Sequence, residues 1–180
     1  WQWGERYGES IIIDLNNSAS GWIDWNILLD ETGGPNHVAN FCYAPIIGNT
    51  KTGELTYMNS YYYMGHFSKY IRPGAERIIC SSNYDDLLAT AFINPDKTIA
   101  VVAMNQTDKE IEFKIWLEGK GTIAKLPAIT LHILHGLDVP PIPLVSITLP
   151  LPSVMLIPMV SEHNEVSVFL NFICLKVAFC

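Results

Sequence analysis

Apolar positions change their spacing several times along this chain, and each change predicts a new kind of element. Over 5–19, ERYGESIIIDLNNSA, the residues Tyr7, Ile11, Ile12 and Leu15 recur at the spacing of one helix face. Asn16-Asn17-Ser18 follows as a polar breaker and predicts the end of that helix. Residues 21–29, GWIDWNILL, are apolar and aromatic enough for a buried strand. Helix, short turn and apolar strand together form the unit of a parallel α/β sheet, whose strands are covered on both faces. From Asp30 to Tyr57 the pattern is loop-like, with turn signals at Gly48-Asn49 and Thr52-Gly53. A second helix is predicted over about 60–71, SYYYMGHFSKYI. Arg72-Pro73-Gly74 stops it, since proline cannot continue the hydrogen bonding and glycine accepts a left-handed cap.

After Gly74 the period shortens. Residues 75–82, 86–94 and 98–105 are short runs rich in β-branched and apolar side chains, and Asn94-Pro95-Asp96-Lys97 predicts a turn between the last two. Residues 110–118, EIEFKIWLE, alternate strictly, with Ile111, Phe113, Ile115 and Leu117 on one face and Glu112, Lys114, Trp116 and Glu118 on the other. That pattern belongs to a half-solvated antiparallel strand. Gly119–Gly121 turns into GTIAKLPAITLHIL, which adds one or two strands, so 75–135 reads as part of a β-sandwich. Beyond His135 the chain is uncharged from Val139 to Ser161 and carries six prolines between Pro140 and Pro158. The length suits a membrane span but the prolines argue against a helix, and the expectation for 136–180 is a poorly ordered or non-native extension.

Composition and charge narrow the function classes. The chain of 180 residues is 49% hydrophobic and 16% charged, which suits an apolar core rather than disorder. A net charge of −7 without a basic run argues against nucleic-acid binding. The opening WQWGERYGES has neither a basic n-region nor an apolar h-region, so no targeting signal is visible. Cys42, Cys80, Cys174 and Cys180 have no CxxC spacing and no histidine partner at metal-ligand spacing, and read as buried or free thiols. No phosphate-binding glycine loop or metal motif is present. Asn16-Asn17-Ser18 and Asn105-Gln106-Thr107 are weak glycosylation sequons.

One stretch is not explained by packing. A strand made only for a core would not carry Asp24, Trp25 and Asn26 in a row before breaking on Gly33-Gly34-Pro35-Asn36. GWIDWNILLDETGGPNHVANF, with APII after it, YYYMGHFSKYIRPG further on and DLLATAFINPDKTIAVVAMNQTDKEIEFKIW beyond, resembles the C-terminal third of glycoside hydrolase family 30, and within it the glucosylceramidases. The similarity runs from about Trp3 to about Leu134.

The resemblance implies an α+β fragment: the last βα elements of a (β/α)8 TIM barrel followed by an antiparallel β-sandwich domain. Residues 1–71 would be the barrel remnant (helix 7, strand 8, helix 8), 72–135 the sandwich, and 136–180 a Pro-rich apolar tail outside the similarity. In such barrels the strand ends and the loops after them form the active site. A hexose has apolar C–H faces and a rim of hydroxyls, so its pocket wants an aromatic platform beside polar groups. The resemblance makes Trp25 that platform and puts Asn40 and Phe41 at the pocket mouth, near the bond to the aglycone. Asp24 is a further candidate, either touching substrate or orienting a neighbour. The residues alone leave a second reading open, Trp25 as barrel filling and Asp24 as a capped polar group.

The implied reaction is hydrolysis of the β-glucosidic bond of glucosylceramide or a related β-glucoside, with retention and with no cofactor. A lipid-membrane surface or an activator protein are candidate further partners, and the implied setting is lysosomal or secreted. Retaining glycosidases need two carboxyl groups about 5–5.5 Å apart. The family carries them as glutamates on the fourth and seventh barrel strands, and no residue here matches either. Glu5 and Glu9 read as solvated helix residues, and Asp30-Glu31 and Asp85-Asp86 as loop acids. The chain alone is therefore expected to be inactive, and a non-catalytic glycan- or lipid-binding module is the alternative. A chain with no stable fold is a third reading, because a partial barrel exposes strand edges. Two departures from the family pattern stand out: Cys42-Tyr43, where a small apolar residue and an Asp are usual, and His37, where Trp is common. His66 sits on the second predicted helix and reads as structural.

Overall fold

The computed structural model describes residues 2–35, 41–117, 119–138 and 153–158. Its first helix, α1, spans Gln2–Asn16 and buries Gly4, Gly8, Ile11 and Ile12 on one side. The second, α2, spans Asn59–Ser68 and buries Ser60, Tyr63 and Phe67. Gly4 and Gly8 stand one turn apart and leave a trough along α1, into which the Tyr63 ring fits. A Cβ at either glycine would sit 2.7 Å from a ring carbon of Tyr63. The two helices then offer one apolar face, in which Ile11, Ile12, Tyr63 and Phe67 pack on Val102, Met104 and Leu131.

Between the helices lie three short strands, β1 (Leu28–Asp30), β2 (Ile46–Gly48) and β3 (Leu55–Tyr57). β1 pairs parallel with β2, and β2 antiparallel with β3. The expected strand over 21–29 is thus realised only from Leu28 onward. Among the described residues no strand lies beside 21–27, so that segment runs extended without a ladder and joins the sheet where Ile46 N–H meets the Ile27 carbonyl.

The sandwich comprises β4 (Glu76–Ser82), β5 (Leu87–Ile93), β6 (Thr98–Asn105), β7 (Ile111–Leu117), β8 (Lys120–Leu126), β9 (Thr130–Asp138) and β10 (Ser153–Pro158). Their order is β8-β7-β10-β4-β5-β6-β9. β6 explains the layering, because it is buried on both faces. Ile99, Val101 and Ala103 join Phe113, Ile115 and Leu126 inside the sandwich. Val102 and Met104, on the opposite face, meet the helices. The alternation expected for 110–118 is seen in β7, with Phe113 and Ile115 buried and Trp116 exposed. On its outer face Glu112 pairs with Lys125 at 2.9 Å.

Two buried asparagines close the structure where strands turn. Asn94 donates to the carbonyl of Tyr70 and accepts from Arg72 N–H, fastening the exit of α2 to the β5–β6 hairpin. Asn105 donates to the carbonyls of Lys109, Leu126 and Pro127 and accepts from Thr107. Its side chain is fully buried, so this sequon serves packing.

The expectation for 136–180 does not hold where the structure describes that stretch. Residues 136–138 finish β9, and Ser153–Pro158 form β10. β10 lies parallel to β4 and antiparallel to β7, between them. The remainder of the tail, including Cys174 and Cys180, lies outside the described residues, as do His37 and Glu118.

Candidate functional site

Residues 21–27 expose two different faces, and the difference places the site. Odd positions point away from the helices: Ile23 is 94% exposed, Trp25 79% and Ile27 70%. Even positions turn toward α1. Trp22 Nε1–H donates to Asp14 Oδ2 at 3.1 Å, and Tyr7 O–H donates to Asp24 Oδ2 at 2.7 Å. Tyr7 also meets the edge of Trp22, with ring centroids 5.5 Å apart. Extended backbone puts neighbouring side chains on opposite faces. Holding Asp24 against α1 therefore holds the Trp25 indole outward.

Of the four expected site residues, Trp25 and Phe41 present exposed rings, Phe41 at 57%. Asp24 is turned the other way, where its Oδ2 accepts from the Tyr7 hydroxyl. Asn40 lies outside the described residues. Burial, reinforced by the hydrogen bond to Asp24 and by its charge, pushes the Tyr7 hydroxyl up to about 12.

The loop after β1 is braced by its acids. Asp30 Oδ1 accepts from Thr32 N–H, Thr32 Oγ1 and Gly34 N–H at 2.6–2.9 Å. These bonds, the Thr32 hydroxyl foremost, hold its carboxyl below the ordinary range. Glu31 accepts from Thr50 N–H and Oγ1, which lowers it likewise. Gly33 takes φ +75°, and a Cβ there would meet the Cys42 backbone, so the two arms of the loop touch at this point. The Gly34–Pro35 bond is cis.

A mostly apolar hollow of about 360 Å³ opens beside this hairpin, lined by Leu28, Leu29, Pro35 and Leu55 among others. Among the described residues, Asp24, Trp25 and Phe41 do not line it, so the hollow is separate from the Trp25 face. His66 Nδ1 lies 2.7 Å from the Tyr62 carbonyl, one turn back on α2, in keeping with a structural role. Glu5 and Glu9 are half-buried rather than fully solvated. Among the described residues no group of three His, Cys, Asp or Glu could hold a metal ion. Burial pushes the Cys80 thiol up to about 12, which leaves it protonated and unreactive at neutral pH.

Sequence reasoning passed over Tyr7, whose helical spacing hid its polar end, and Trp3. The Trp3 ring stacks on Tyr43 at 6.1 Å and 23°, and Tyr43 meets Phe41 edge-on at 5.2 Å. The only advance signal was Tyr43 itself, a bulky ring where the family pattern has Asp.

The fold thus sets an extended segment, backed by α1 and carrying an outward indole, beside a seven-stranded β-sandwich unit. The glycosyl hydrolase family 30 TIM-barrel model matches residues 1–71, and the family's β-sandwich model matches residues 74–132. This chain belongs to glycoside hydrolase family 30. The lysosomal acid glucosylceramidase of Mus musculus is 36% identical over 116 residues, 64% of this chain and 22% of the relative. The crystal structure of SrfJ from Salmonella typhimurium superposes with a TM-score of 0.71 at 34% identity, covering 73% of this chain and 30% of the other. An endo-β1,6-glucanase superposes with a TM-score of 0.66 at 25% identity, covering 75% and 31%. The chain thus spans about a fifth of the length of the curated relative and under a third of the solved ones.

Proposed function

We propose that this chain is the C-terminal part of a retaining β-glucosidase that hydrolyses glucosylceramide or a closely related β-glucoside in a lysosomal or secreted setting. Trp25 is the stacking floor for the glucose ring, and Asn40 and Phe41 stand at the mouth beside the aglycone. Asp24 acts through its bond to Tyr7, as a positioning residue. The two reacting carboxyl groups belong to the part of the enzyme ahead of α1, so the chain by itself binds sugar without cleaving it. The observation that carries this reading is the exposed Trp25 ring on a segment whose opposite face is locked to α1.

The test is titration of the purified chain with methyl β-glucoside, followed by indole fluorescence, alongside a fluorogenic β-glucoside to read turnover. Saturable binding that disappears in Trp25→Ala, with no turnover, is expected. Turnover by the chain alone would overturn the division of labour. Binding that survives Trp25→Ala would move sugar recognition to the sandwich.

A further inference from the structure

α1 and the segment 21–27 run antiparallel, since Asp14 meets Trp22 and Tyr7, nearer the helix start, meets Asp24. Continuing in that direction brings the chain to the level of Trp3, where the returning loop delivers Tyr43. The N-terminal end of α1 and the loop after β1 therefore share one rim. In a βα barrel this is the rim that carries the active site.

Phe41, Tyr43 and Trp3 are 57%, 56% and 60% exposed, and their rings follow one another at 5.2 and 6.1 Å. Unlike Ile23 and Ile27, these rings lie at the rim rather than along the face where further barrel staves would pack. A strip for a second sugar would need hydroxyl partners beside the rings. Among the described residues, the Arg6 guanidinium lies over the Trp3 ring at 5.3 Å and is engaged there. Arg6 caps the strip's far end, while Phe41 opens it at the pocket mouth.

We propose that Phe41, Tyr43 and Trp3 form a continuous aromatic strip that takes the alkyl chain of a β-glucoside aglycone, leading it from the pocket mouth to the start of α1. The inference rests on the sugar site proposed above and adds where the lipid part lies. Tyr43 is its central member, because it touches both other rings.

The experiment compares methyl, butyl, hexyl and octyl β-glucosides and cellobiose on the 180-residue chain, below micelle-forming concentrations, by calorimetry. Affinity should rise by up to about fourfold for each methylene fully buried on the strip. In Tyr43→Asp, which restores the residue usual in the family, and in Trp3→Ala, the octyl-to-methyl affinity ratio should collapse toward one. A ratio unchanged in both variants overturns the strip. So does cellobiose binding as tightly as octyl glucoside and weakening in the same variants. Should Tyr43→Asp fail to fold, Trp3→Ala at an exposed helix position still decides. If methyl β-glucoside does not bind but the chain-length effect persists and is lost in these variants, the strip stands and the sugar reading fails.

Discussion

The Tyr7 hydroxyl hydrogen-bonds Asp24 Oδ2 across 17 residues of sequence, and together with the Trp22–Asp14 bond it holds Trp25 facing away from α1. Its titration gives a clean sign. The tyrosine proton is held more tightly in the folded state than in the unfolded chain, whose ordinary value is 10.0, because the folded group is pushed up to about 12. The stabilisation is therefore fully present below pH 10 and is lost as pH rises toward 12. Urea denaturation across pH 9–12 should show falling stability, and Tyr7→Phe should flatten that slope. At pH 7 the same variant should cost about 1 kcal/mol, the net worth of a part-buried hydrogen bond.

The contact between α1 and α2 predicts opposite outcomes for two glycines. Gly8→Ala puts a methyl 2.7 Å from the buried Tyr63 ring, so the helices must separate. A loss of about 1–3 kcal/mol is expected, as for overpacked cores. Gly65 lies within α2 with nothing near its missing Cβ. Gly65→Ala should gain about 0.5–1 kcal/mol from helix propensity alone. Thermal melts of the two variants check both signs, and similar shifts in both would contradict the packing.

Much of this architecture was legible because local pattern and tertiary role agree. The 3.6-residue spacing of Tyr7, Ile11, Ile12 and Leu15 exists because that face is buried on the sandwich, and the β7 alternation exists because one face of that strand is wet. The family resemblance singled out Trp25 as a candidate, but no local pattern could say that Asp24 faces α1. That follows from which odd or even set the helix covers, a matter settled by Tyr7 and Asp14 from another element. The strand over 21–29 was overread for a related reason, since apolar content predicts burial while a ladder needs a neighbour that the segment itself does not encode. Asn105 misled in the opposite direction. As text it is a glycosylation sequon, yet in the fold its carboxamide joins Thr107, Lys109, Leu126 and Pro127.

That burial makes its own prediction. An asparagine with no exposed surface cannot present its amide to a glycosylating enzyme once the sandwich has formed, so peptide mass spectrometry of secreted material should find Asn105 unmodified. Asn105→Ala should destabilise by about 2–4 kcal/mol, because three carbonyls lose a shared donor inside the structure. Asn105→Asp should be worse at neutral pH, since it brings a buried charge up against carbonyl oxygens. Full occupancy of Asn105 by glycan would refute the assignment.

β10 poses the sharpest test of how the sandwich is held together. The strand follows a stretch that the family's β-sandwich model does not match, yet it sits between β4 and β7 rather than at an edge. Its register pairs Ser153–Leu156 with Ile79–Ser82 and Val154–Pro158 with Phe113–Leu117. Without it, the β7–β8 hairpin would keep its side-chain packing through Phe113, Ile115 and Leu126 but lose its hydrogen-bonded link to the rest of the sheet. The inner edges of β4 and β7 would then offer unpaired N–H and C=O groups to other chains. A chain ending at Asp138 should therefore unfold at lower denaturant by at least about 2 kcal/mol, several ladder hydrogen bonds being removed together. It should also self-associate as its concentration rises. Amide hydrogen exchange separates the cause from a general loosening: protection should fall first along 79–82 and 113–117, while β5 and β6 stay protected. Equal protection of those two edges in the full and shortened chains would mean that β10 contributes no ladder at all.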